Sequence, residues 1–178
     1  MRTLGPGSVS SLLKIVLDVV YVGLWIGAFG AGLAALAALL FMADPDLTNN
    51  LHFQGLSGHS FSPTAPMIVG GLVAATFYIA GILVIVGRLR RIFATLIAGD
   101  PFHPDNVRRL RTVGLTLAAL ELSRYAVAAV SAWAMPHEVE KVTTGFSLTT
   151  WFAVLVVFVL AEVFREGARL RREAELTI

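Results

Sequence analysis

The sequence predicts an all-α membrane protein: a bundle of four transmembrane helices, a helical hairpin between the second and third, and both termini cytoplasmic. Three observations predict it. Hydrophobic residues fill 56% of the 178 positions and charged residues 15%, with a mean hydropathy of +0.76. Soluble domains average about 45–50% apolar and about 25% charged residues. The apolar residues fall in four runs, each near the roughly 20 residues needed to cross the hydrocarbon core. The arginines collect on alternate connections, the asymmetry that marks a cytoplasmic face.

The first run, about residues 13–43, is long enough to tilt or to begin in the interface. It reads as a span rather than a cleavable signal peptide. Its apolar stretch is too long, Asp18 interrupts it, and the following LFMADPD lacks a small-x-small cleavage pattern. Gly23 and Gly27, continued by Ala31 and Ala35, offer a small-residue face for close packing, within the bundle or in a homo-oligomer. The second run covers about 66–86, the third about 113–133 and the fourth about 148–164. All four belong to a single domain over residues 1–178.

Orientation follows from the basic residues. Arg88, Arg90, Arg91, Arg108, Arg109 and Arg111 occupy the second connection, and Arg165, Arg169, Arg171 and Arg172 the tail. Residues 44–65 contain no Lys or Arg, and the third connection contains Lys141 alone. The second connection and both termini are therefore expected inside.

The second connection, LIAGDPFHPDNVRRLR, is itself structured. Leu89, Ile92, Phe93, Leu96 and Ile97 form an amphipathic stripe, so the second helix continues two or three turns beyond the membrane. Gly99 suits the residue just past a helix end. Asp100-Pro101 and His103-Pro104 make the turn. Pro104 suits the first helical position, with Asp105 near the positive end of the dipole. The fourth helix also leaves the membrane, with Glu162/Arg165 and Arg165/Arg169 at helical spacing and Gly167 expected to bend or end it.

Two stretches carry a family resemblance. One is LRRIFATLIAGDPFHPDNVRRLRTVG, in which Gly99, Pro101, Phe102, Asn106, Arg109, Leu110 and Arg111 fit the pattern. The other is LAEVFREGARLRREAELTI, with Glu162, Phe164, Gly167, Leu170, Glu175, Leu176 and Thr177 in place. Together they resemble a bacterial membrane family catalogued as domain of unknown function 2975. The resemblance implies a four-span protein of the bacterial cytoplasmic membrane, often encoded beside a small helix-turn-helix transcription regulator. It brings no catalytic residues and no cofactor.

Two sets of residues are candidate sites. Phe102, Asn106 and Arg109 have side chains able to reach beyond the turn, so they are candidates for docking a cytoplasmic partner. The competing expectation for Phe102 is packing against the tail near Phe164. Asp18, Glu121, Arg124 and Glu162 are candidates for an intramembrane polar network. Glu121 lies about 13 Å along the third helix from its inner end, a depth at which ionisable groups face a partner or a water-filled cavity. Such a network would serve either an ion or proton path or a clasp between Glu121 and Arg124. Asp18 has Lys14 one turn earlier, and Glu162 has Arg165 or a hairpin arginine within reach.

Other chemistry is disfavoured. The chain contains no cysteine, which excludes disulfides and thiolate ligands. His52 and His59, with Asp44 and Asp46, lack tight metal spacing, and His103 and His137 fall on opposite sides of the membrane. No metal, cofactor, catalytic constellation or direct nucleic-acid binding is expected. The functional expectation is a non-enzymatic interaction or regulatory protein; the rival is a small transporter or channel subunit.

Overall fold

The computed structural model describes residues 9–41, 53–54, 60–61, 65–134 and 145–176. Its elements are helix α1 (Val9–Phe41), strands β1 (Phe53–Gln54) and β2 (Ser60–Phe61), and helices α2 (Ala65–Ile97), α3 (Pro104–Ala134) and α4 (Leu148–Leu176). The strands are a minimal antiparallel pair, Phe53 opposite Phe61 and Gln54 opposite Ser60. The four helices are each long and apolar enough to cross a membrane. With 33 residues, α2 measures about 50 Å, well beyond a hydrocarbon core of about 30 Å. The helix is thus longer than a single crossing requires.

The chain divides into two compact units, residues 1–22 with 81–178, and residues 23–80. In the second, Gly23, Gly27, Gly70 and Gly71 stand in open space, with nothing within 4 Å of where a Cβ would be. Trp25, Ile26 and Phe29 expose more than half their surface, which suits helices solvated by acyl chains.

The first unit is packed differently. Its helices meet where a small residue faces a large one. A Cβ on Gly81 of α2 would come within 2.6 Å of Leu120 of α3, and one on Gly114 of α3 within 3.1 Å of Phe158 of α4. Among the described residues, α3 packs extensively against α4. They run antiparallel, joined in succession by Gly114 on Phe158, Leu110 on Ala161 and Phe102 on Gly167. At the arginine-bearing end, Ile92, Leu110 and Ala161 form a buried cluster from three helices, with Leu89, Leu96 and Phe164 packed on it. Gly167 does not end α4, which continues to Leu176.

Candidate functional site

The α2–α3 turn is built from local chemistry first. Gly99 has φ +80, the left-handed conformation that costs glycine least. Its N–H donates to the Leu96 carbonyl at 3.1 Å, and the Asp100 N–H to the Thr95 carbonyl at 3.0 Å. This pair of bonds is the Schellman ending, which satisfies carbonyls left over at a helix C-terminus. On the other side, His103 caps α3: its carbonyl accepts from the Asn106 N–H at 2.9 Å and its Nδ1 from the Asp105 N–H at 3.2 Å.

Asn106 then locks the turn. It has no exposed surface. Its Nδ2 donates to Thr95 Oγ1 at 2.7 Å and to the Pro101 carbonyl at 3.1 Å, and its Oδ1 accepts from Arg109 at 2.8 Å. Arg109 also donates to the Arg91 carbonyl at 3.2 Å and lies 3.6 Å from the Asp105 carboxylate. One buried amide thus ties the last turn of α2, the turn itself and the first turn of α3. A buried amide with its donors and acceptor all engaged is favourable, and one left unpaired is costly.

Phe102 joins this hairpin to the tail. Its ring packs on Phe164 with centroids 5.8 Å apart. It also fills the space over Gly167, where a Cβ would lie 2.5 Å from two ring carbons. That close approach explains a glycine in the middle of a continuous helix. Asp100 adds an ion pair to Arg171 of α4. Of the three docking candidates, Asn106 and Arg109 are occupied inside the hairpin, and Phe102 is 38% exposed at its edge.

The intramembrane candidates form separate pairs. Asp18 of α1 meets Arg90 of α2 at 2.5 Å rather than Lys14, and the Arg90 guanidinium lies 4.4 Å above the Tyr21 ring. Glu162 pairs with Arg165 on its own helix, not with a hairpin arginine. Glu121 is buried and receives two bonds from Arg124, at 2.5 and 3.2 Å. Arg124 also reaches the Gly145 carbonyl at 3.4 Å, and Tyr125 Oη accepts from the Ser147 N–H at 3.1 Å. Ser147 in turn caps α4 by accepting from the Thr150 N–H at 3.3 Å. This cluster therefore sits at the start of α4. Twelve residues separate Glu121 from Arg109 along α3, about 18 Å, so the four candidates occupy two levels rather than one site.

Among the described residues, no group of three His, Cys, Asp or Glu side chains could hold a metal ion. His52, His59, His137, Asp44, Asp46 and Lys141 lie outside the described residues.

A family model described as a protein of unknown function, DUF2975, matches residues 20–178. The chain belongs to that family. The DUF2975 match is wider than the two stretches that carry the resemblance, and takes in Glu121 and Arg124 while leaving out Asp18. No curated protein and no solved structure matches the chain.

Within this DUF2975 chain, Asn106 was the residue most open to misreading. It falls on the stripe of Leu110 and Val113, at i, i+4 and i+7, and both of those are buried. That spacing signals a buried amide rather than an outward one. The Asp18–Arg90 pair carried no comparable signal, because 72 residues separate its members.

Proposed function

We propose that this multi-pass membrane protein is a non-enzymatic interaction protein of the bacterial cytoplasmic membrane. Its hairpin and tail lie inside and form one preorganised platform for a cytoplasmic protein, with a helix-turn-helix regulator as the partner that the family resemblance favours. The observation that carries this reading is the buried Asn106. A simple connector between two spans does not require a fully paired buried amide, an aromatic seat over Gly167 and an ion pair to the tail. Rigid presentation lowers the entropy lost when a partner docks. In this reading the exposed edge of Phe102 is the apolar contact, while Asn106 and Arg109 hold it in place.

The transporter alternative is less well supported. It asks Asp18, Glu121, Arg124 and Glu162 to line a shared path, whereas each acid has its own arginine.

Two measurements test the proposal. A reporter active only outside the cytoplasm should be silent fused after Ile178 and active inserted near Gly55; the reverse pattern would overturn the orientation. Co-purification of the adjacent regulator should weaken on Asn106→Ala and on Phe102→Ala at matched membrane levels. If both variants retain the regulator as the wild type does, or the wild type does not bind it, the platform is only a folded turn.

A further inference from the structure

A cleft of about 440 Å³ opens between the first turn of α3 and the tail of α4, lined by Pro104, Val107, Arg165, Glu166, Arg169 and Arg172 among others. On α4, Arg165, Arg169 and Arg172 recur at i, i+4 and i+7, one face of the helix. Gly167, which seats Phe102, lies about 200° around the helix from Arg165. Arg165 and Arg169 therefore stand on a different face of α4 from the seat of Phe102. This opening goes beyond the partner platform.

The charges differ in how far they are already neutralised. Arg165 pairs with Glu162, and Arg169 with Glu166 at 2.6 Å and Glu173 at 3.5 Å. Arg172 has no ion pair among the described residues. Nor does Arg111, which follows Pro104 and Val107 on their face of α3 by seven and four residues. One unpaired guanidinium, Arg172, thus lines the cleft, and a second, Arg111, follows Val107 one turn further along α3 toward the apolar spans.

The surroundings select the ligand. Above Arg111 the same face of α3 continues as Leu115 and Leu122, both more than half exposed. On α4 the apolar run gives way to charge at Glu162 and Arg165. A basic cleft that opens at the edge of a hydrocarbon-facing strip fits an amphiphile with an anionic head. We propose that the cleft binds the headgroup phosphate of an anionic phospholipid, with Arg111 and Arg172 as its principal contacts and an acyl chain along Leu115 and Leu122. Guanidinium suits phosphate through its planar, multiply donating fork.

The test is native mass spectrometry of the purified full chain in uncharged detergent. Its probes are short-chain phosphatidylglycerol, phosphatidylcholine of the same chain length, and inorganic phosphate. Wild type should retain phosphatidylglycerol over phosphatidylcholine, and inorganic phosphate should not displace it. Arg111→Gln with Arg172→Gln should weaken retention roughly tenfold or more. Arg88→Gln with Arg91→Gln removes the same charge from α2 and should leave retention unchanged. Arg172→Gln alone alters only the exposed tail and should cost roughly threefold, which keeps the test decisive if the double variant does not fold. Equal retention of the two lipids overturns the proposal, as does displacement by phosphate or an equal loss in the α2 variant.

Discussion

Each end of the α3–α4 pair buries one polar side chain, but the chemistry of the two differs. At the α2–α3 turn it is Asn106, a neutral amide whose partners are Thr95 on α2, the Pro101 carbonyl and Arg109. At the start of α4 it is Glu121, whose main partner, Arg124, is one turn along the same helix. A neutral amide with distant partners holds segments together, and its loss is felt as lost tertiary structure. A carboxylate paired locally is compensated within its own helix, and its loss leaves the opposite charge behind. The first arrangement specifies how elements meet; the second permits a charged residue in an apolar span.

The largest expected effect breaks the first end. Asn106→Leu leaves the Pro101 carbonyl and the Arg109 guanidinium without their buried partner, so it should cost about 3 kcal/mol in the unfolding midpoint measured in detergent micelles. A near-neutral result would mean that the hairpin does not depend on its amide. Next, Gly167→Ala forces a methyl group into the Phe102 ring and should cost about 1 to 2 kcal/mol. In an open helix the same change stabilises by up to about 1 kcal/mol, as expected at Gly23 and Gly27. Opposite signs at Gly167 and Gly23, measured by the same unfolding assay, would establish the contrast between the packed and the open glycines.

The Glu121 end should respond less, because glutamine keeps the shape and part of the hydrogen bonding. Its diagnostic is a sign. Glu121→Gln should lower the midpoint more than the double change with Arg124→Gln, since only the single variant strands a charge. A double variant as damaged as the sum of the singles would sink the clasp. The smallest effect belongs to Asp100→Asn, which removes an exposed ion pair with Arg171 and should barely move the midpoint.

What could be read from the sequence follows the range of the interactions. Gly99 and Pro104 were legible because a helix end is determined by residues within one turn of it. The four spans were legible because lipid requires continuous apolar length. Phe102 against Phe164 was within reach as an expectation, since two resembling stretches had to meet somewhere. The propensity of Gly167 to end a helix is local, while the reason for a glycine there, an aromatic ring from the α2–α3 turn, is not. Lys14 is the partner for Asp18 that the sequence offers for the same cause: Arg90 is close in space alone.

The Asp18–Arg90 pair also has a history in time. The ribosome makes Asp18 72 residues before its partner, a delay of roughly 4 to 14 s at elongation rates of about 5–20 residues per second. Throughout that interval α1 carries an acid with no guanidinium to receive it. The first helix is therefore expected to gain this contact, and the anchoring it adds, only once the end of α2 has been synthesised. Chains stalled before Arg90 should be extracted from membranes more readily than chains stalled shortly after it. On that expectation, the first span is completed by the second.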